Sequence, residues 1–283
     1  MMNNYKRLTI ILISYKSEKK IYDFVKKIPK KIKTIIVENS NNYELKKKLE
    51  RKYKNIKVFI KKNEGVSSSI NYAVKKVKTE YLMQISPDIL FNYKDINTFF
   101  EIAKRIENKF SALGPRFLNV SIKGHKQIQK DLEMGAIDSI HGSCMFINKK
   151  KFNEIGGFDK NFFLYFEETD FCKRAQNKGY KAYQINSIKV KSHGQTVLIR
   201  NKNEKNKLNN ILIWHFIWSK YYFTKKNYGQ IISFLIFIPT LTRAILKFLF
   251  YMLINKKKYR YKYRYRFNGL IASIMGRSSS LRP

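Results

Sequence analysis

Leu8-Thr9-Ile10-Ile11-Leu12-Ile13-Ser14 is the stretch that decides the fold class. It is short, apolar and rich in β-branched side chains, and polar residues follow it, which is typical of a strand buried in a parallel sheet. A helix is predicted directly after it, because apolar residues recur at helical spacing from Ser17 to Ile28 before Pro29.

Strands and helices then alternate along the first half of the chain. Further strands are predicted at 34–37, 57–60 and 81–85, with helices at 43–53 and over the apolar face from Ile70 to Val77. This alternation predicts an α/β fold with a mostly parallel sheet. Ligands of such sheets bind outside the carboxyl ends of the strands, so polar residues at those ends should line one crevice. These residues are Ser14, Glu38, Asn63 and Asp88.

The second half is mixed. It carries a helix predicted to end near Phe110, strands at 112–113, 143–147, 182–185 and 188–190, a helix from 152, and a helix at 167–178. The composition changes after Val197, which predicts a catalytic domain over 1–200 and a basic helical region over 201–283.

Charge is the strongest compositional signal: 58 Lys and Arg oppose 20 Asp and Glu, a net +38. Such a field attracts nucleic acid, anionic lipid or anionic substrates, or reflects solvated lysines alone. The two cysteines, Cys144 and Cys172, lie far apart without CxxC spacing, so neither a disulfide nor a zinc site is predicted. The N-terminus lacks the apolar region of a signal peptide, and a cytoplasmic location is expected.

The C-terminal region has membrane-like features. A polar connector is predicted at 201–210 and an aromatic-rich helix at 211–222, followed by the apolar stretch 231–254. Arg243 and Lys247 lie four residues apart within that stretch, after Pro239. This pattern favours a kinked helix in the membrane interface over one that spans the bilayer or one buried in the protein core.

Lysine, arginine and tyrosine alternate over 256–266, directly after the apolar stretch. Such a cluster is typical of attachment to an anionic cytoplasmic leaflet, with tyrosine at the headgroup level. The alternative is a single-stranded nucleic-acid site with bases stacked on the rings, but it leaves the neighbouring apolar helix unexplained.

Asp88 follows a strand and Ser86-Pro87, which presents its carboxylate at the strand's end. A hard oxygen there suits Mg²⁺ or Mn²⁺ bridging a diphosphate, although a lone Pro-Asp is also a common turn or helix cap. His193 is a candidate second ligand.

Glu167, Glu168 and Asp170 open a predicted helix behind an aromatic run. Acids at a helix N-terminus are favoured by the helix dipole alone. Behind an apolar wall they also have the raised pKa that suits a general base.

Together these motifs resemble glycosyltransferase family 2, in its rhamnosyltransferase-like branch with a GT-A fold. The resemblance rests on Ser14-Tyr15-Lys16, Val37-Glu38-Asn39-Ser40, Asn63-Glu64-Gly65 with Asn71, Ser86-Pro87-Asp88, Gly142-Ser143-Cys144-Met145-Phe146, Gly156-Gly157-Phe158-Asp159, the run from Phe162 to Asp170, and His193.

The resemblance implies an inverting, metal-dependent transferase of cell-surface glycan synthesis at the inner face of the plasma membrane. It implies a nucleoside-diphosphate-sugar site of Ser14, Tyr15, Glu38, Asn63, Gly65, Asn71, Ser86, Pro87 and Asp88, and a metal (Mg²⁺ or Mn²⁺) on Asp88 and His193. Glu168 takes the position of the base, with Glu167 and Asp170 beside it, and Gly157 and Asp159 shape the acceptor side.

The expected donor is a dTDP or UDP sugar, with some preference for a deoxysugar such as rhamnose, and the expected acceptor is a lipid-linked glycan. Donor choice is assigned to the loops from Leu118 to Met134. The family has other residues where this chain has Ser86 and Glu168, which leaves open a homologue that binds nucleotide sugar without transferring it.

Overall fold

The computed structural model describes residues 2–119, 127–194, 197 and 201–283. Residues 120–126, part of the loops assigned to donor choice, lie outside the described residues. The chain forms two compact units. We call Met1–Asp159 with Glu167–Leu198 the sheet unit, and Lys160–Phe166 with Ile199–Pro283 the helical unit. The division at residue 200 into separate domains stays a prediction.

Nine strands are described in the sheet unit. They are β1 Leu8–Ser14, β2 Lys33–Glu38, β3 Ile56–Ile60, β4 Tyr81–Ile85, β5 Ile89–Leu90, β6 Phe110–Phe117, β7 Met134–Ile137, β8 Cys144–Asn148 and β9 Lys181–Ser192. Its helices are α1 Met2–Lys6, α2 Glu18–Val25, α3 Tyr43–Lys52, α4 Val66–Lys76, α5 Ile96–Arg105, α6 Lys149–Ile155 and α7 Glu167–Gln176.

The sheet follows the order β3-β2-β1-β4-β8-β6-β9-β5, and β7 pairs with β9. The first four strands are parallel, and Ser14 pairs with Glu38 in register, so the carboxyl ends of β1 and β2 meet at one edge. Beyond β4 the sheet is mixed, because β8 runs antiparallel to both β4 and β6. The predicted α/β class with a mostly parallel sheet is confirmed.

Successive residues of β1 serve opposite faces of the sheet. Leu8, Ile10 and Leu12 belong to the core cluster that includes α2, α3 and α5. Ile11 belongs to the cluster that includes α4, α6 and α7. Successive side chains of a β-strand point to opposite faces of the sheet. Because both faces of β1 are buried, apolar residues occupy both sets of positions, and β1 is a continuous apolar run.

Several boundaries differ from the prediction. Helix α5 ends at Arg105 rather than near Phe110, because Glu107 and Asn108 take left-handed φ values of 51° and 56°. The predicted strands at 182–185 and 188–190 form one strand, β9, with a register shift opposite Pro115 and Arg116. Strands β5 and β7 are two and four residues long, too short for periodicity to reveal.

The helical unit contains α8 Lys202–Tyr228, α9 Gln230–Leu253 and α10 Lys257–Ile274. The predicted polar connector at 201–210 is wrong: it is the first turns of α8, where Asn201 accepts a side-chain cap bond from Asn203 N. Its lysines and asparagines carry no apolar period, although they are compatible with a helix. Helices α8 and α10 approach closely at Gly269, where a Cβ would lie 2.6 Å from the Trp214 carbonyl oxygen.

Candidate active site

The carboxyl ends of β1 and β2 place two predicted residues side by side. Ser14 Oγ lies 3.2 Å from Ser17 Oγ. Glu38 is buried, and its Oε1 accepts hydrogen bonds from the backbone N–H of Ser40 (2.5 Å) and from the Ser40 hydroxyl. Its Oε2 is buried without a partner in the described residues. A buried acceptor of this kind is available to a ligand that donates hydrogen bonds.

The segment before α4 supports two further predicted residues. Asn63 Oδ1 accepts a bond from Gly65 N at 3.3 Å, and Gly65 is the N-cap of α4, with a φ of 96° that favours glycine. Asn71 lies within α4, and its amide is engaged on both sides: Nδ2 donates to Phe158 O at 2.7 Å, and Oδ1 accepts from Phe158 N at 3.0 Å. In this structure Asn71 holds the Gly157-Phe158 turn, and its role at a nucleotide stays a prediction.

Asp88 and His193 meet through the pairing of β5 with β9. His193 N donates to Asp88 O at 2.8 Å, and Ser192 Oγ donates to Asp88 Oδ2 at 2.6 Å. Asp88 is buried, and its other carboxylate oxygen accepts no hydrogen bond within the part of the chain that the structure describes. The preceding Ser86 N donates to Ser143 O at 2.8 Å, which fixes the turn. The two proposed ligands are therefore neighbours, although 105 residues separate them in sequence.

A cleft of about 810 Å³ borders this pair. Its lining includes Pro87, Asp88 and His193 together with four lysines from α2, from the turn after α2 and from β9. The lysines are Lys20, Lys26, Lys27 and Lys189. Cations around a carboxylate at the end of β4 suit a substrate that carries phosphate.

The described residues contain no cluster of three or more His, Cys, Asp or Glu side chains arranged for a metal. Asp88 and His193 nevertheless fit Mg²⁺ or Mn²⁺, because such sites commonly use one or two protein ligands and leave the remaining positions to phosphate and water oxygens. The carboxylate oxygen of Asp88 that accepts no hydrogen bond is the donor that this chemistry requires.

Glu167 and Glu168 begin α7 and are both buried. Burial raises the pKa of Glu167 well above its ordinary value, and the charge of Glu168 raises it further. Glu168 lies beside Gly142, where an added Cβ would be 3.5 Å from its Cδ, and Gln84 Nε2 donates to Gly142 O at 2.6 Å. The two acids thus lie near the carboxyl end of β4, whose Gln84 pairs with Met145 of β8.

Asp170 has a structural partner. Its Oδ2 accepts from Arg174 Nε at 2.8 Å, one turn along α7. The other Arg174 nitrogens donate to Ile155 O at 2.7 Å and to Gly157 O at 2.6 Å. Gly157 has a φ of 67°, and a Cβ there would lie 2.9 Å from Asn71 Oδ1, so only glycine fits this turn.

Sequence reasoning missed three residues that shape the site: Gln84, Arg174 and Ser192. The i,i+4 spacing of Asp170 and Arg174 was a readable signal. Gln84 stands in a buried strand, where a polar side chain needs a partner. Nothing local in the sequence indicates Ser192. The remaining predicted residues are Tyr15, whose ring lies 5.7 Å from Lys16 Nζ, and Asp159, after which the chain enters the helical unit.

Residues 9–174 match the model of glycosyl transferase family 2. The chain belongs to this family. The match covers every strand of the parallel half of the sheet and ends inside α7, so the family 2 region includes Glu38, Asp88 and the acids of α7.

Named relatives agree with this assignment. The chain is 26% identical over 212 residues to the low-salt glycan biosynthesis hexosyltransferase Agl10 of Haloferax volcanii, covering 67% of this chain and 68% of that protein. It is 22% identical over 213 residues to rhamnosyltransferase WbbL of Escherichia coli, covering 62% and 79%. A 54-residue match, 32% identical, links it to 18% of the N-acetylglucosaminyl-diphospho-decaprenol L-rhamnosyltransferase of Mycobacterium tuberculosis and covers 19% of this chain.

Solved structures show the same fold. Mannosyltransferase PcManGT of Pyrobaculum calidifontis, in complex with GDP-Man and Mn²⁺, superposes with a TM-score of 0.59 at 11% identity, covering 95% of this chain and 87% of that one. S. aureus TarS 1–349 with UDP-GlcNAc gives 0.53 at 14% identity, covering 96% and 92%. The chain is therefore a family 2 glycosyltransferase with a GT-A-like fold.

Proposed function

We propose that this family 2 transferase moves a sugar from a nucleoside diphosphate to a lipid-linked glycan acceptor, with inversion and with a divalent metal. The observation that carries the proposal is that Asp88 and Glu168 both lie near the carboxyl end of β4. Asp88 suits a diphosphate and its metal, and Glu168 suits an acceptor hydroxyl.

A general base must be ionised to accept a proton. Glu167 has a raised pKa, which favours its protonated form. In the proposed step Glu168 accepts the proton of an acceptor hydroxyl, whose oxygen forms a bond to the anomeric carbon. The bond from that carbon to the diphosphate breaks at the same time, and its electron pair leaves with the diphosphate. Attack from the opposite side inverts the carbon.

Asp88 and His193 would hold the metal, and when bound it would offset the charge that develops on the leaving diphosphate. Glu38 and Asn63 would contact the nucleoside, and the lysines of the cleft would attract the phosphates. The lipid-linked acceptor is supported by the relative whose name is N-acetylglucosaminyl-diphospho-decaprenol L-rhamnosyltransferase. The dTDP or UDP donor is the choice that the resemblance of the motifs favours.

The test is thermal stabilisation of the folded protein by UDP, dTDP, GDP and their sugars, with and without Mn²⁺. A ligand at a hundred times its Kd stabilises by about 2.7 kcal/mol. We expect a metal-dependent shift that Asp88→Ala abolishes and that Asp23→Ala, an exposed acid lining the same cleft, retains. No shift with any nucleotide would contradict the proposal, and binding without transfer would indicate an inactive homologue.

The helical unit supports the proposed location at the membrane. In the described residues, α9 is the one helix long and apolar enough to cross a bilayer. Its buried residues, Ser233, Phe237 and Ala244, form one stripe. The rest of its circumference is exposed and mostly apolar: Ile231, Ile232, Phe234, Leu235, Ile236, Ile238, Ile245, Leu246, Leu249, Phe250, Met252 and Leu253. An apolar face of this extent on a helix packed along its other side favours the bilayer interface.

Cations border this face. Arg243 and Lys247 lie one turn apart at its edge, and α10 adds the basic run from Lys256 to Arg266. The Tyr251 ring stacks on Tyr259 at 5.0 Å and on Tyr263 at 5.7 Å, so part of the tyrosine ladder is used within the unit rather than for nucleic-acid bases. An anionic membrane leaflet fits both the apolar face of α9 and the cations beside it, because it attracts each cation by about 1 kcal/mol.

Flotation with phosphatidylcholine vesicles, with and without phosphatidylglycerol, tests this placement. We expect binding to the anionic vesicles that weakens in high salt and that a double Leu246→Glu, Leu249→Glu variant loses. Leu132→Glu changes an exposed leucine of the sheet unit and should bind as the unchanged protein does. Protein that resists extraction from membranes by alkaline carbonate would contradict an interfacial helix and favour a spanning one.

A further inference from the structure

The segment that directly precedes the acids of α7 packs within the helical unit. Lys160–Phe166 belongs to the helical unit, although the chain on both sides of it belongs to the sheet unit. Its aromatic side chains pack on α8. The pairs, with their ring centroid distances, are Phe162–Tyr222 at 5.0 Å, Phe163–His215 at 4.6 Å, Tyr165–Phe216 at 5.6 Å, and Phe166 with Phe216 at 5.8 Å and Phe223 at 5.6 Å.

The backbone of this segment is strained at its end. Tyr165 and Phe166 have φ values of 69° and 70°, which aromatic residues rarely adopt because the Cβ approaches the carbonyl oxygen. Such a conformation persists only where the surroundings determine it. A hydrogen bond from α8 reaches this point: Ser219 Oγ, which is fully buried, donates to Leu164 O at 2.8 Å.

The last residues of the chain hold the same segment from another direction. The Arg282 guanidinium lies 4.1 Å from the centroid of the Phe163 ring, and His215 stacks on that ring. His215 in turn bonds to Ser279 Oγ at 2.9 Å and to Leu281 O at 2.8 Å. Both α8 and residues 279–282 therefore restrict Phe163.

Helix α7 begins at Glu167, directly after Phe166, so no flexible residue separates the strained pair from Glu168. We propose that Ser219 is a positioning residue: by binding the Leu164 carbonyl it holds the left-handed turn of Tyr165 and Phe166, which leads directly into α7 and Glu168. The inference rests on the proposed role of Glu168 as the base. It assigns to the helical unit a part in catalysis as well as in membrane attachment.

Ser273 provides a matched control. It is a buried serine of the same unit, and its Oγ donates to the Trp218 carbonyl at 3.0 Å without touching the segment 160–166. Ser219→Ala and Ser273→Ala each remove one hydroxyl that bonds to a backbone carbonyl. A merely structural role predicts the same behaviour for both variants.

The first readout is turnover with dTDP-rhamnose, UDP-GlcNAc and GDP-mannose as separate donors and N-acetylglucosaminyl-diphospho-polyprenol as acceptor. Because a misplacement of about 1 Å can cost 10²-fold in rate, we expect Ser219→Ala to lower kcat at least about tenfold. The donor KM should change less than twofold, and Ser273→Ala should leave kcat unchanged. Equal kcat in the two variants would overturn the proposal.

The second readout needs no substrate. Amide hydrogen exchange over residues 160–168 should be faster in Ser219→Ala than in Ser273→Ala, with no difference in β1 or β4. Equal exchange in the two variants would overturn the positioning role whatever the activity. Absence of turnover by the unchanged protein with all three donors would count against the proposed function, and faster exchange in Ser219→Ala would still support the positioning of α7.

Discussion

The sheet unit buries acids, whereas the helical unit buries a histidine and exposes cations. Glu38, Asp88, Glu167, Glu168 and Asp170 are all buried in the sheet unit. From residue 199 to the end, Glu204 is the single acid in the sequence, and His215 is a buried titratable group. Burial opposes charge in both units, so it raises the pKa of an acid and lowers that of a histidine.

Glu167 and His215 should therefore contribute opposite pH dependences to the two units, and the chain carries a separate probe for each. Both cysteines, Cys144 and Cys172, are buried in the sheet unit, and both tryptophans, Trp214 and Trp218, lie in α8. Thiol labelling in urea thus reports unfolding of the sheet unit, and tryptophan fluorescence reports unfolding of the helical unit.

The largest effect is expected from Glu168→Gln. Gln has the shape of the acid and cannot accept the hydroxyl proton, so the rate of transfer should fall by about 10²- to 10⁴-fold. Nucleotide binding should persist, as measured by thermal shift. Glu154→Gln, an exposed acid of α6, is the control. Unchanged transfer by the Glu168 variant would assign the base to another residue.

Glu167→Gln should alter the pH dependence of the sheet unit. The pKa of Glu167 is raised above its ordinary 4.5, so the folded state holds a proton that the unfolded state has lost above that pH. Stability from this group is present below pH 4.5 and is lost as pH rises. The variant should match the original protein at pH 4 and exceed it at pH 8, measured by thiol labelling with dithiodipyridine in urea.

Glu64→Gln is the control for the Glu167 variant, because hydrogen bonds from Lys61 and Ser68 lower the pKa of the Glu64 carboxyl instead of raising it. Its variant should not gain stability at pH 8. Parallel stability curves for the Glu167 variant and the original protein would contradict the raised pKa.

His215 should give the helical unit the opposite dependence. Burial lowers the pKa of His215 from 6.5 to about 4, and the charge of Arg282 adds to this effect. Because the Leu281 carbonyl only accepts, Nε2 carries the proton and neutral Nδ1 accepts from Ser279. The unfolded state binds a proton first, so the unit should lose about 3 kcal/mol as pH falls from 6.5 to 4.

Tryptophan fluorescence in urea measures this loss, and His215→Gln should make the curve flatter over the same range. A loss of the same size in the variant would show that another group titrates.

The smallest effect concerns the Asp170–Arg174 pair, in which Arg174 also binds the Gly157 carbonyl. Asp170→Asn weakens the bond to Arg174, whose side chain is 26% exposed. We expect the free energy of unfolding to fall by about 2 kcal/mol, which is less than the loss for a fully buried ion pair. Thiol labelling in urea measures it. Lys109 and Glu107 form an exposed pair, and breaking it with Lys109→Met should have little effect. Equal losses of stability in the two variants would mean that burial does not strengthen the Asp170–Arg174 pair.

The parallel half of the fold was readable because its signals are local. Each of the strands β1 to β4 is an apolar run bounded by polar residues, and their predicted bounds lie within one residue of those in the structure. Strand β5 is only two residues long, yet its pairing with β9 brings His193 to Asp88 across 105 residues. No periodicity can reveal a contact of that kind.

The sequence by itself determined the family motifs, the positions of the candidate acids, and the basic, apolar C-terminal region, because these depend on residue type and short spacing. Only the tertiary structure decided that Asn71 holds Phe158, that Arg174 holds Gly157, and that Phe162 to Phe166 belong to the helical unit. Such assignments depend on which distant groups meet, and the pKa values of Glu167 and His215 depend on how far water is excluded when they do.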